Sequence, residues 1–518
     1  MEYSEDDKIV LNFFFTNLDK PIFAVKNMHP EVWALMQARY SRTREGVRES
    51  FIKLLKEEPE NFQKLKEEIE KTEGGVNSQH AINKAIQFME KWVLGFGHSS
   101  VSEGAVVGFS LEGVSILATK VIEDNRLSSF IEKSTRYVSF DNSSFFIDED
   151  LKNSEFYPEI QEYLDFLFKV YLELHNPVLD YVKTISPKNE DTPIPAWERA
   201  CAARRFDAIR YLLPTCTKTS LGWTVNARQL SHGISKLLSH PLKEMNYIGE
   251  SLKEEGKKVL PSLLKYANKS DYFINTNNDM NELSKAFEIE NSNIDPVVLV
   301  NGPEDADNRV IAAILYKYKQ ESYSRILERV RLITRESKEK ILDTFLKHRG
   351  KFDSPLREFE HANFTFDIVM DYGAFRDLQR HRICTQTNQL FTNNLSYDTP
   401  EDIINAGVQE KYTQVMEKAN QLYEKLKDRY PQQAQYLLPL GYRKRFLISF
   451  NLREAYYLIK LRTTPMAHAS YRRIGLKMYN ILKNNYPLLI KYLELETVHE
   501  ELGRLKSEER TEKRTSLV

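Results

Sequence analysis

A repeated order of features is the strongest constraint that this sequence places on its fold. In each half an alternating apolar stretch predicts a strand: Val107, Phe109 and Leu111 first, then Phe364, Phe366 and Ile368. Amphipathic helical patterns precede both strands, around residues 81–94 and 323–347. A polar, arginine-bearing segment follows each strand, then a Leu-Pro turn and a long helix. Leu213-Pro214 precedes Asn226-Ala227-Arg228, and Leu438-Pro439 precedes Asn451-Leu452-Arg453, with twelve residues from proline to asparagine in both. A shared order over so many features predicts a tandem duplication.

A chain of 518 residues exceeds what one hydrophobic core supports. Residues 20–270 and 300–498 are expected to be the two copies, with the polar, Asn-rich stretch 271–299 as a connector that holds at most one short helix. The mixed-charge tail 499–518 reads as a solvated, fraying helix end. Lysine plus arginine (73) nearly cancels aspartate plus glutamate (74), so any anion site must be local, and neither nucleic acid nor membrane is an expected partner. Cys201, Cys216 and Cys384 have neither metal-ligand nor CxxC spacing. The acidic start MEYSEDDKIV lacks an apolar signal core, and no run of about 18 apolar residues occurs. The expectation is a soluble, cytoplasmic protein without metal.

Two segments carry chemistry. Gln379-Arg380-His381-Arg382 places long cationic or titratable side chains in succession after a strand, which suits phosphate or pyrophosphate, although a solvated turn would have the same composition. Ser134-Thr135-Arg136-Tyr137 offers a hydroxyl and a guanidinium two residues apart; in an extended segment both face one way and form a phosphate clamp.

Together these segments resemble the flavin-dependent thymidylate synthases, whose motifs are R-H-R followed by S-x-R-Y, an upstream H-x-S/T-x-x-E-H before a strand, and a downstream N-x-R on a helix. The resemblance covers roughly residues 30–260 and 305–480, and each copy keeps different pieces. The second has Glu360-His361, Phe364-Thr365-Phe366 and Arg380-His381-Arg382, yet Leu390 and Thr392 stand where serine and arginine are expected, and Pro355 and Arg357 replace the upstream histidine and hydroxyl. The first has His98-Ser99-Ser100-Val101-Ser102-Glu103 and the intact Ser134–Tyr137 end, but Asp124-Asn125-Arg126 in place of R-H-R. Its spacing from Glu103 is one residue longer, which predicts a local insertion. Trp223–Arg228 and His232 fit the helix pattern, and Arg210 takes the place of a substrate-binding arginine; Gln435 and Tyr457 are the second copy's counterparts of Arg210 and His232.

The resemblance implies an α+β fold, each copy an antiparallel sheet flanked by helices, and active sites between units. One composite site keeps Arg380, His381, Arg382 and Arg453 facing Glu132, Ser134, Arg136 and Arg210. The reciprocal site sets Glu123 or Asp124 against Leu390, Thr392 and Gln435, where carboxylates repel a nucleotide phosphate. Two chains would then form a homodimer of four units. The implied reaction carries a methylene group from methylenetetrahydrofolate to C5 of dUMP, with FAD and NADPH as the redox partners. Arg380 and Arg453 are the implied catalytic residues. Glu132, Ser134, Arg136, Arg210, Arg376, Asp377, Arg380 and Arg453 would meet the nucleotide. His98, Ser100, Glu103, Asn226, Arg228, His232, Arg380, His381, Arg382 and Asn451 would meet the flavin. Asp377 stands where the family has a glutamine near the pyrimidine; an ionised carboxylate only accepts hydrogen bonds, which suits an amino-bearing, cytosine-type base, unless Asp377 merely pairs with Arg376. A non-catalytic nucleotide binder and an RNA-associated protein are the other function classes. His468 and Tyr471-Arg472-Arg473 either line the flavin pocket or face solvent, and solvent is the preferred expectation.

Overall fold

The computed structural model describes residues 3–40, 43–57, 59–71, 101–140, 144–287, 295–496 and 502–515. The helix expected around residues 81–94 and the candidates His98 and Ser100 lie outside the described residues.

In the first copy β1 (Val106–Ser115) runs into a short helix, α1 (Ile116–Ile122), and β2 (Ser128–Glu132) follows. A helix over Tyr157–Ile185 and then α2 (Ile194–Ile209) lead to β3 (Lys218–Asn226) and α3 (Ala227–Leu238). The second copy repeats this order: β4 (Val297–Asn301), β5 (Asn363–Asp371), α4 (Tyr372–Leu378), β6 (Thr385–Asn388), a helix over Gln409–Leu426, β7 (Arg443–Asn451) and α5 (Leu452–Arg462). Towards the C-terminus lie α6 (Ala469–Asn485) and α7 (Leu505–Thr515). The fold is α+β, with antiparallel sheets ordered β1-β3-β2 and β4-β5-β7-β6.

The same side-chain devices switch strand to helix in both copies. Ser115 and Asp371 cap α1 and α4 by accepting from Ala118 N and Ala374 N. Asn226 and Asn451 cap α3 and α5 in the same way, accepting from Gln229 N and Glu454 N at 2.9 Å. Ala105 O and Ala362 O each accept a 2.8 Å bond from the residue after the capping asparagine. From that alanine to the next cap is ten residues in the first copy and nine in the second. The predicted insertion therefore lies in β1, where Gly113 has φ 71°, the conformation of a glycine bulge.

Two compact units cut across the expected sequence halves. The first comprises residues 1–111, 127–131 and 220–287. Its N-terminal helices bury Phe14, Phe15, Met36, Phe51 and Leu54, with Phe14 edge-on to Phe51 at 5.1 Å. Part of the expected connector is a helix over Asp271–Ser284 that buries no residue. The connector was expected to run to residue 299, but Val297, Val298 and Leu299 belong to β4 and pair with Ile368, Asp367 and Phe366. Their apolar, β-branched run fits a strand rather than a loop.

The second unit comprises residues 112–126, 132–219 and 288–518. At its centre the two Leu-Pro turns pair with one another: Pro214 bridges Pro439, Thr215 N donates to Leu438 O (3.1 Å), and Leu440 N donates to Leu213 O (2.8 Å). The middle of the first copy is thus stitched into the second copy, which explains why compactness ignores the sequence boundary. The charged tail is not solvated as expected. Arg199 on α2 binds Glu508 (2.8 Å) and Glu512 (2.6 Å) of α7, and Leu502 is buried. Among the described residues no helix is long and apolar enough to cross a membrane.

A Cβ added at Gly113 would meet nothing within 4 Å, so Gly113→Ala should act through the backbone alone. The expected loss is about 1–2 kcal/mol, read from the urea midpoint. An unchanged midpoint would mean that β1 can relax out of the positive-φ conformation at Gly113.

Candidate functional site

The site of the second unit is built around one carboxylate. Glu132, at the end of β2, has a fully buried side chain. Its Oε1 accepts from Arg376 Nη2 (2.7 Å) and Thr119 Oγ1 (2.8 Å), and its Oε2 from Arg380 Nη2 (2.9 Å) and Lys120 Nζ (3.1 Å). Burial pushes its pKa up, but Arg376, Lys120, Arg380 and Thr119 outweigh burial and hold the carboxyl well below the usual carboxylate range. With four donors on its two oxygens, Glu132 orients the side chains around it. Lys120, on α1, stands at the position that Arg376 holds on α4, and also pairs with Glu123.

Arg210, at the end of α2, is 2% exposed. Its nearest carboxylate is Asp377, with Nη1 to Oδ2 at 4.0 Å, longer than a hydrogen bond. Its Nε and Nη2 have no hydrogen-bond partner among the described residues. Asp377 stands equally far, 4.0 Å, from Arg380 Nη1. Burial raises the Asp377 pKa, yet Arg210, Arg136, Arg380 and Arg462 outweigh it and keep the carboxylate ionised. Arg376 binds Glu132 and Thr135 Oγ1 (3.2 Å), so the simple Arg376–Asp377 pair does not form.

The Ser134–Tyr137 segment is a turn, not the expected extended clamp, and Arg136 N donates to Ser134 Oγ at 3.1 Å. Arg136 grips Asp207 with Nε (2.6 Å) and Nη2 (2.8 Å) and reaches the Tyr471 hydroxyl with Nη1 (3.3 Å). His468 is buried rather than solvent-facing. Its Nε2–H donates to Asp207 O, its Nδ1 accepts from Ser470 N, each at 3.2 Å, and its ring stacks on Tyr211. Burial, with Arg210 and Arg136 nearby, pushes its pKa far down and keeps it neutral.

In the R-H-R segment His381 turns inward. Nε2 accepts from Arg462 Nε (3.0 Å), which leaves Nδ1–H to donate to Glu454 Oε1 (2.8 Å). Arg462 also donates to Asp377 O at 2.5 Å. Arg382 is half-buried and lines a cavity of about 130 Å³ with Glu123, Asp124 and Arg126. Arg453, expected to be catalytic, donates instead to Pro355 O (2.7 Å) and Glu360 Oε1 (3.1 Å). Helical geometry explains this: Arg453 and Arg462 are nine residues apart on α5, which puts them on opposite faces. Arg462 is the arginine that the sequence reading missed, and that spacing was its signal. Gln435 accepts from Phe391 N (3.3 Å) and donates to Gln432 O (3.0 Å), a structural role in place of an arginine's.

In the first unit, Arg228 pairs with Glu103, Asn226 caps α3, and the His232 ring lies edge-on to Phe273 at 6.1 Å. Burial lowers the His232 pKa. Asn451, in the second unit, has the same capping role as Asn226.

Two buried carboxylates give opposite pH responses. The depressed pKa of Glu132 contributes stability above the unfolded value, near 4.5, that is lost as pH falls. Glu132→Gln should cost about 3–5 kcal/mol at pH 7, because buried Lys120 and Arg376, and Arg380 beside them, lose a shared buried countercharge. Asp371 is fully buried, and burial pushes its pKa up to about 6 despite a hydrogen bond from Ser470. The folded state therefore binds the extra proton, and stability falls as pH rises from about 4 to about 6. Asp371→Asn keeps the α4 cap and should gain about 2 kcal/mol at pH 7.5, a gain that vanishes below pH 4. Urea melts across pH check both signs, and equal responses at both pH values would contradict them.

A sequence model of the thymidylate synthase complementing protein family matches residues 26–262 and 298–488. A "UPF0159 protein" of Chlamydia muridarum (strain MoPn / Nigg) is 34% identical over 529 residues, covering 98% of each chain. "UPF0159 protein Ta1429" of Thermoplasma acidophilum is 28% identical, over 82% of this chain and 91% of its own. A "Flavin-dependent thymidylate synthase" of Clostridium tetani (strain Massachusetts / E88) is 25% identical over 199 residues, 37% of this chain and 73% of the relative. With both copies matched over most of their length, the chain belongs to the thymidylate synthase complementing protein family.

Proposed function

We propose that the chain transfers one carbon to C5 of a pyrimidine deoxynucleotide, in the manner named for its Clostridium tetani relative, at the arginine cluster of the second unit. The observation that carries this reading is Arg210. A buried guanidinium with two unpartnered nitrogens costs about 1–3 kcal/mol for each. A fold keeps that cost where a ligand's oxygen supplies the missing acceptor. Arginines also outnumber carboxylates there, since Arg136, Arg210, Arg376, Arg380 and Arg462 face Glu132, Asp207 and Asp377.

The chain's own groups are then binding and orienting groups. Arg210 donates to an oxygen of the pyrimidine nucleotide and stabilises negative charge as C5 becomes nucleophilic. Glu132 fixes Arg376 and Arg380, and the Glu454–His381–Arg462 chain fixes Arg462. The donor chemistry fits a flavin diphosphate: Arg380 is 42% exposed at its side chain and Arg382 half-exposed, and both would hold it. When bound, FAD supplies the hydride that turns the transferred methylene into a methyl group; methylenetetrahydrofolate is the carbon donor and NADPH the reductant of this reading. Asp377 favours a second pyrimidine, because an ionised acceptor suits the N–H of a cytosine amino group.

The visible spectrum of the purified protein, titrated with dUMP and then dCMP, tests this reading. A flavin spectrum that shifts with one nucleotide is expected, with the shift requiring at least tenfold more nucleotide in Arg210→Gln. A protein that takes up no FAD and answers neither nucleotide would refute the enzyme reading; binding without turnover would leave a nucleotide-binding relic.

A further inference from the structure

The family-matched residues end at 488, yet a side chain from beyond that point enters the arginine cluster. Arg504 precedes α7 and is 8% exposed. Its Nη2 donates to Asp207 Oδ2 at 2.7 Å, and its guanidinium lies over the Tyr137 ring, 5.2 Å from the centroid. Its Nη1 has no hydrogen-bond partner among the described residues. The segment is anchored independently of this contact, through Arg199 to Glu508 and Glu512 and through Thr192 to Glu509.

Asp207 therefore has two guanidinium partners, Arg136 and Arg504, and two cations around one carboxylate leave an excess positive charge. If Arg136 alone held Asp207, turning toward a ligand would leave a half-buried carboxylate without a partner. Arg504 removes that obstacle, because Asp207 keeps a partner while Arg136 turns. Asp207, Arg504, Tyr211 and His468 also line a cavity of about 780 Å³, ample for a nucleotide.

We propose that Arg504, at the wall of this cavity, and Arg136, which shares Asp207 with it, form an oxyanion site that takes the phosphate monoester of the substrate nucleotide. Arg504 is then a substrate-binding residue supplied from outside the family-matched region. The nature of the anion rests on the function proposed above; the existence of the site does not.

Calorimetric titration of the full chain with dUMP, deoxyuridine and inorganic phosphate tests this in wild type, Arg504→Gln and Arg504→Lys. Arg504→Gln should weaken dUMP and phosphate about tenfold or more, and leave deoxyuridine unchanged. Arg504→Lys should recover part of the loss. If dUMP and deoxyuridine weaken equally, or phosphate binding is indifferent to Arg504, the proposal is wrong. Phosphate binding that depends on Arg504, with no affinity for dUMP or dCMP, would uphold the oxyanion site and reject the pyrimidine reading. Should Arg504→Gln fail to fold, Arg504→Met, which keeps much of the side chain's bulk without its charge, takes its place, and phosphate affinity unchanged in that variant would overturn the proposal.

Discussion

The candidate site depends on a single buried carboxylate. Glu132 collects donors from both copies, Thr119 and Lys120 from the first and Arg376 and Arg380 from the second. Without it, three cations would repel one another in a poorly solvated place. With it, Arg376 and Arg380 are fixed, and Asp377, between them in sequence, is presented to Arg210. A carboxylate thus builds a cationic site, by taking up part of the charge and leaving the rest directional.

Much of the frame was legible in the sequence because it rests on local rules. The strands over Val107–Leu111 and Phe364–Ile368 follow from alternation, and the asparagines twelve residues after the prolines are helix caps whose side chains satisfy an orphan N–H in each copy. The one-residue surplus after Glu103 was also visible, and Gly113 is the residue that absorbs it. A glycine is what a bulge needs, so the count and the conformation agree.

What was not legible depended on direction and on distant partners. A run such as Arg380-His381-Arg382 does not reveal that its middle residue turns inward between Glu454 and Arg462. Motif position favoured Arg453 as the working arginine of α5, whereas the helical half-turn count decides that Arg462 enters the cluster. Ser134–Tyr137 could be read as extended only by ignoring the serine hydroxyl's competition for the Arg136 N–H. The tail looked solvated because its partners, Arg199 and Asp207, are some three hundred residues away.

The paired Leu-Pro turns have a consequence for how this chain can change. In a symmetric contact between identical chains, every substitution occurs on both sides of the axis, so a charge introduced for one purpose also confronts its own image. Here the two turns meet reciprocally, Leu213 O with Leu440 N and Leu438 O with Thr215 N, yet they belong to different stretches of one polypeptide. Each mutation is therefore felt once. Lysine can replace arginine beside Glu132 on one side while the other side keeps the arginine, and backbone bonds that ignore side-chain identity hold the seam together meanwhile. Tandem fusion has turned a mirror-bound interface into two independently editable surfaces at permanently high effective concentration.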